Sequence, residues 1–333
     1  MLLMQVQICY KLVFMRVSVI IPTFNRAATI TRALGSVLKQ NVGAGFKSTP
    51  TIEVIIIDDG STDGTRDLIV GAGFPRPIVP GAEPPAPTGS TTRMGRRLRT
   101  DRPGGTAPLP IKYLYQPNRG PAAARNLGIH NSGGEFIAFL DSDDEWLPGK
   151  LAAQLQFFQD RPDYLISQTE EIWFRNGRRV NPMKKHKKYG GWIFEKCLPL
   201  CIVSPSAVMV RREFFDRVGL FDESLPACED YDLWLRASAC LPIGLVRKPY
   251  VMKYGGHSDQ RSRQFPVMVR FRIRSLRNIL ESDLLDPVQR EAALRELKRK
   301  CQIVSQGAAK RGKSDEARYY AEEWGHFLQG QVS

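Results

Sequence analysis

Phe136-Ile-Ala-Phe-Leu-Asp-Ser-Asp-Asp144 is an apolar run of five residues that leads straight into three carboxylates. A continuous apolar run of that length suits a strand buried on both faces, as in the interior of a parallel sheet. Three more such runs precede it: Val17 to Ile21, Ile52 to Ile57 and Ile111 to Tyr115. Between them lie helical patterns at Thr29 to Gln40, Thr62 to Val70 and Pro121 to Asn131, the last with Pro at a first helical position. Strand alternating with helix predicts an α/β fold around a mostly parallel sheet. Ligands of such sheets lie beyond the carboxyl ends of the strands, where these acids stand.

The 333 residues carry 48 Lys and Arg against 34 Asp and Glu, a formal net charge of +14, with 42% hydrophobic and 25% charged residues. Those proportions belong to a globular chain and exclude collagen-like, disordered and polytopic membrane classes. The six cysteines form no Cys-x-x-Cys pair and have no His-rich partner at zinc-ligand spacing, which fits a reduced, cytoplasmic setting. Met1 to Met15 is apolar but broken by Gln5, Gln7 and Lys11; it falls short of the roughly 20 apolar residues of a spanning helix. It also lacks the early cations and cleavage site of a signal peptide. Residues 1–15 therefore read as an N-terminal extension, either a start-site extension or a peripheral anchor.

Residues 16–260 read as the sheet domain, interrupted at Phe74 to Pro108 by a Pro-, Gly-, Thr- and Arg-rich disordered surface insertion. A fifth strand at Tyr164 to Gln168 precedes Arg175 to Lys188, a stretch with seven Lys or Arg and no acid that reads as a solvated loop. Residues 261–333 read as a helical appendage, with amphipathic stretches at Pro266 to Leu280, Pro287 to Lys310 and Asp315 to Leu328.

Three acidic clusters carry the chemistry. Asp58 and Asp59 stand at a strand exit before Gly60 and a Thr able to cap a helix, which suits hydrogen bonding to a base and ribose or, equally, an ordinary capped turn. Asp141 and Asp143 point the same way along an extended chain and are spaced to share a hard cation. Three acids packed against an apolar strand repel one another unless something cationic neutralises them, which favours Mg²⁺ or Mn²⁺ there. Glu229 and Asp230 lie in the first turn of a helix, where alone they would count only as partners of its dipole.

Five ordered blocks give these clusters a common meaning. They are Val17-Ser-Val-Ile-Ile-Pro-Thr-Phe-Asn-Arg26, Asp58-Asp-Gly-Ser-Thr-Asp63, Asn118-Arg-Gly-Pro-Ala-Ala-Ala-Arg-Asn-Leu-Gly128, Gly134 to Asp144, and Phe221-Asp-Glu to Glu229-Asp-Tyr-Asp-Leu-Trp-Leu-Arg236. In order and spacing the chain resembles the family 2 glycosyltransferases over about Val17 to His257. The resemblance implies a GT-A fold, with a nucleotide-sugar-binding half and an acceptor-binding half around one mixed, mostly parallel sheet. It implies that Pro22, Thr23 and Asn25 line the base pocket, that Asp58 or Asp59 reads the base or ribose, and that Arg125 contacts the nucleotide. Asp141 would sit near the ribose and Asp143 would hold the divalent metal on the diphosphate, with His257 completing that shell. Asp230 matches the family's proposed base, with Glu229 as neighbour or substitute. No Gln-x-x-Arg-Trp sequence accompanies these blocks, so a single-addition enzyme is expected rather than a processive synthase.

The chemistry agrees. A leaving nucleoside diphosphate gathers negative charge, which a divalent cation stabilises. The acceptor hydroxyl loses its proton to a carboxylate on the opposite face of the sugar, so one in-line displacement inverts the anomeric centre. A UDP-sugar donor, a glycan or lipid-linked acceptor, and a cytoplasmic location at the inner face of the membrane are the expectations, in the setting of envelope polysaccharide biosynthesis. A sugar-nucleotide pyrophosphorylase would need a Gly-rich, Arg- and Lys-bearing loop after the first strand, where Pro22-Thr23-Phe24-Asn25 stands instead. A nucleic-acid binder would explain the +14 charge, but no RNA or DNA motif accompanies it, so no nucleic-acid partner is expected; the cations concentrate in the insertion, in Arg175 to Lys188 and in Arg261 to Arg277, which suggests a phosphate-rich acceptor or peripheral contact with an anionic membrane.

Overall fold

Alternate residues of the apolar strands belong to different cores. In β1 (Arg16–Thr23), Val17, Val19 and Ile21 join one apolar cluster and Ile20 the other; in β2 (Thr51–Asp58), Ile52, Val54 and Ile56 divide in the same way from Ile55 and Ile57. That is a sheet covered on both faces, which is why the sequence shows no polar alternation there. The computed structural model describes residues 16–42, 50–71, 110–256 and 268–325. The insertion expected at Phe74 to Pro108, the N-terminal extension and His257 lie outside the described residues.

Crossover helices α1 (Ile30–Leu38), α2 (Thr65–Gly71) and α3 (Gly120–His130) alternate with β1, β2, β3 (Ile111–Tyr115) and β4 (Phe136–Phe139), which pair in parallel. After them come β5 (Glu145–Trp146), α4 (Lys150–Asp160), β6 (Ile166–Arg175), β7 (Arg178–Val180), α5 (Phe194–Cys197), β8 (Val208–Arg211), α6 (Phe214–Val218), α7 (Glu229–Cys240) and β9 (Gly244–Gly255). The sheet order is β3-β2-β1-β4-β8-β6-β9-β5, with β8 antiparallel to both its neighbours and β9 parallel to β6. The mostly parallel α/β sheet is therefore present, and its second half is mixed.

One expectation needs correcting. Arg175 to Lys188 is not all solvated loop: β6 runs on to Arg175, and Asn176 (φ 50°) and Gly177 (φ 75°) turn the chain into β7, which pairs back on β6. Two central residues at positive φ make a type I′ hairpin turn, for which Asn-Gly is the strongest short signal.

The C-terminal helices are α8 (Met268–Glu281), α9 (Pro287–Ala309) and α10 (Ser314–Glu322). Ile273, Leu276, Ile279 and Leu280 of α8 and Leu297, Cys301 and Val304 of α9 share an apolar cluster with Tyr231, Leu233 and Trp234 of α7. They therefore brace the helix that carries Glu229 and Asp230. No helix among the described residues is long and apolar enough to cross a membrane.

Candidate active site

A cavity of about 280 Å³ opens beyond the carboxyl ends of β1, β2 and β4. Its walls include Pro22, Thr23, Asn25, Asp59, Arg125, Asp141, Asp143 and Glu229, so eight of the sequence-predicted site residues meet in one place. Phe24, with 42% of its surface exposed, stands in the same wall and was not singled out from the sequence. Thr23 is buried, and its Oγ1 has no hydrogen-bond partner among the described residues. A buried hydroxyl left unpaired costs free energy unless a ligand or water completes it.

The Asp58-Asp59 pair is split by the alternation of the strand. Asp58 is fully buried and does not line the cavity: its Oδ2 accepts from the Tyr113 hydroxyl at 2.6 Å and its Oδ1 from Ser61 N at 2.8 Å. Asp59 turns towards α3, where its carboxylate accepts from Arg119 N and Gly120 N, both at 2.9 Å, and from Gln116 Nε2 at 2.6 Å. It thus closes the amino end of α3 and ties the second sequence block to the third. Asn25, at φ 51°, does the same for the first block, accepting from Thr62 N at 2.8 Å.

Residues 141–144 form a turn, closed by Asp144 N donating to Asp141 O at 2.9 Å, so the extended-chain reason for grouping Asp141 with Asp143 does not hold. Both line the cavity all the same. Asp144 is buried elsewhere, accepting from Ser206 Oγ at 2.7 Å and Tyr254 N at 3.3 Å, and burial pushes its carboxyl well above the ordinary range. Two built-in cations face this cluster. Arg125, only 6% exposed, bridges Asp141 Oδ1 at 2.9 Å and Glu229 Oε1 at 2.7 Å. Lys253 of β9 is the second: burial pushes its amine down, but Glu171, Asp144, Asp141 and Asp143 outweigh that and hold it protonated.

Among the described residues no group of three His, Cys, Asp or Glu side chains stands ready to hold a metal. The donor set still suits Mg²⁺ or Mn²⁺, which take one or two carboxylates from the protein and their remaining oxygens from substrate phosphate and water. With Asp141 bound to Arg125, Asp143 is the carboxylate best suited to that role.

Glu229 and Asp230 are consecutive at the start of α7 yet serve different cavities. Glu229 faces the first, held by Arg125; Asp230 lines a second cavity of about 200 Å³ with Glu171, Trp173, His186, Lys188, Lys253 and Arg272. Asp230 Oδ2 accepts from Cys201 Sγ at 3.5 Å and Oδ1 from Tyr231 N at 2.7 Å, and no cation pairs with it among the described residues. Sequence reading gave no hint of Lys253, on β9, and counted Arg272, on α8, only within the cation-rich stretch Arg261 to Arg277.

The profile of Glycosyl transferase family 2 matches residues 18–76 and 89–219, more than half of the chain. The chain belongs to that family. This family 2 glycosyltransferase is 30% identical over 239 residues to an uncharacterized glycosyltransferase of Rickettsia felis, a match covering 70% of the chain and 32% of the relative. It is 30% identical over 235 residues to the succinoglycan biosynthesis protein ExoU of Rhizobium meliloti, covering 67% of the chain and 57% of that protein. The match thus spans about a third of the first relative and rather more than half of the second. Among solved structures it superposes on S. aureus TarS 1–349 in complex with UDP-GlcNAc (TM-score 0.57, 19% identity, 94% of this chain and 92% of that one). It also superposes on the mannosyltransferase PcManGT from Pyrobaculum calidifontis in complex with GDP-Man and Mn²⁺ (TM-score 0.54, 16% identity, 96% and 86%). Those likenesses establish the GT-A fold.

Proposed function

We propose that this glycosyltransferase moves a hexosyl group from a nucleoside-diphosphate sugar, a UDP-sugar in the first instance, to a hydroxyl of a glycan or lipid-linked acceptor with inversion at the anomeric carbon. The observation that carries the reading is the first cavity, where Asp141, Asp143, Asn25 and the unpartnered Thr23 Oγ1 converge beyond the strand ends. The UDP-GlcNAc complex of TarS supports a uridine nucleotide, and the name of ExoU supports a place in polysaccharide biosynthesis.

In this reading Thr23 and Asn25 face the nucleotide from the β1 exit, and Arg125 fixes Asp141 and Glu229 around it. Asp143 would hold a divalent cation, Mn²⁺ or Mg²⁺, whose charge offsets that of the departing diphosphate. Asp230 takes the proton of the acceptor hydroxyl as that oxygen attacks. Its carboxylate suits the task because no cation neutralises it among the described residues, whereas Glu229 is held by Arg125. That Asp230 lines a second cavity, and not the first, supports a base that approaches the sugar from the acceptor side.

A thermal-shift panel of nucleoside diphosphates with and without Mn²⁺ tests the donor reading. UDP with Mn²⁺ is expected to raise the melting temperature, since a ligand of the native state adds RT ln(1 + [L]/Kd). Asp143→Ala is expected to remove the metal-dependent part. If no nucleoside diphosphate produces a metal-dependent shift, the reading is wrong.

A further inference from the structure

We propose that the second cavity takes its acceptor by a negatively charged substituent, a carboxylate or phosphate on the acceptor sugar, held by Arg272 with Lys253 beside it. The inference builds on the reading of Asp230 as the base. Its ground is the balance of charge among the cavity's own side chains. Glu171 is buried and already matched: Lys188 Nζ lies 3.2 Å from its Oε1, and Trp173 Nε1 donates to its Oε2 at 3.0 Å. Lys188 is spent on that pair, on Gln168 Oε1 at 3.3 Å and on Ile202 O at 3.2 Å. Lys253 is already drawn to Glu171 and to Asp144, Asp141 and Asp143, which leaves Arg272 as the cavity's cation with no salt bridge to a described carboxylate.

Arg272 is the telling residue. It makes no salt bridge to any described carboxylate, and its Nε is buried without a hydrogen-bond partner. The half-buried guanidinium lies 5.9 Å from the centroid of the Tyr231 ring with donors to spare, and its planar fork matches carboxylate and phosphate alike. Lys253 is fixed in the wall by donating to Ser204 Oγ at 3.1 Å. The cavity also has an aromatic pair in its lining: Trp173 and His186 pack with ring centroids 4.9 Å apart. Burial first, and then Lys185, hold His186 below its ordinary range, so near neutral pH its ring offers hydrogen bonds to hydroxyls rather than charge. At about 200 Å³ the space lies below the roughly 300–1,000 Å³ of larger ligand pockets and suits a single sugar ring with one charged group. Arg272 sits on α8, so the C-terminal helices would contribute directly to acceptor choice.

The test uses the full chain and three probes of one hexose: methyl glucoside, methyl glucuronide and glucose 6-phosphate. Binding is followed by ligand-observed NMR, with UDP titrated into the same samples. A charged probe is expected to bind at least roughly tenfold tighter than the glucoside, the scale of a charge-assisted hydrogen bond. Preference for the glucuronide identifies a uronic acid acceptor; preference for the phosphate identifies a phosphorylated one. Arg272→Gln is expected to erase the preference and Arg272→Lys to keep part of it, with UDP binding retained in both. Equal binding of all three probes, binding of none, or an unchanged preference in Arg272→Gln overturns the inference. The comparison on the unmutated chain decides even where a variant fails to fold. Loss of UDP binding alone, with the anion preference intact, would sink the donor reading and leave this one standing.

Discussion

Replacing Arg125 with methionine separates two roles for the same side chain: nucleotide contact, as the family resemblance implies, or a clamp between two carboxylates, as its bonds to Asp141 and Glu229 suggest. Glu229, 7% exposed, would lose its Arg125 ion pair with little water to replace it, whereas Asp141, 27% exposed, would recover much of its hydration. Removing one partner of a buried pair costs roughly 3–5 kcal/mol. Methionine keeps the apolar stem but loses the guanidinium that lies 5.3 Å from the centroid of the Phe221 ring, so about 3 kcal/mol is the least loss expected. For a large domain that corresponds to a fall in melting temperature of roughly 6 °C. The assay is a double-mutant cycle in urea: wild type, Arg125→Met, Glu229→Gln and the pair. Neutralising Glu229 in the Arg125→Met background should restore at least about 1 kcal/mol, because the buried charge that Arg125 had balanced is then gone. A single-variant loss under about 1 kcal/mol, or a strictly additive cycle, would refute the clamp.

Asp230→Asn is expected to retain the UDP and Mn²⁺ thermal shift and to lose transfer by about 100-fold or more, measured with any accepted donor and acceptor; an undiminished rate would assign the base elsewhere. Burial would push the Glu53 carboxyl up, but the Ser18 hydroxyl, Gly133 N–H and Lys112 together hold it below its ordinary 4.5. The stability it contributes is therefore present above the unfolded value and lost as pH falls through the folded one. Glu53→Gln should cost about 1–3 kcal/mol at pH 7 and progressively less below about pH 4, and a gap in urea midpoints that ignores pH would contradict this. In α3, a Cβ on Gly128 would lie 2.5 Å from Ile20 Cγ2 and 2.8 Å from Ile57 Cδ1, both fully buried. Gly128→Ala should lower stability by about 1–3 kcal/mol despite alanine's better helix propensity, and an unchanged melting temperature would mean the helix can lift off the sheet.

Strands buried on both faces are easy to read, because apolar continuity is itself the signal, and β1 to β4 fall where Val17 to Leu140 suggests. The second half of the sheet is harder. β8 joins β4 to β6 through only four residues, Val208–Arg211, and β9 pairs with β6 across a register shift, so neither shows a clean period. The β6–β7 hairpin was legible in Asn176-Gly177 and was hidden by the weight of surrounding cations.

The acidic cluster shows most sharply what one-dimensional reading leaves out. Asp141, Asp143 and Asp144 need compensating charge, and sequence alone offers a metal as the nearest source. In the folded chain Arg125 already bonds Asp141, and Lys253, 112 residues downstream of Asp141, faces all three acids. Mutual repulsion of the carboxylates is therefore no longer a reason to invoke a cation from solution. What still favours a metal is position: Asp143 opens on the cavity with the unpartnered Thr23 hydroxyl, while Asp144 is buried against Ser206 and Tyr254. The same acids thus divide into Asp144, buried away from the cavity, Asp141, which lines the cavity with Arg125 bound to it, and Asp143, which lines the cavity outside that pair. Only the last should respond to Mn²⁺, so the metal-dependent shift should follow Asp143 and not Asp144.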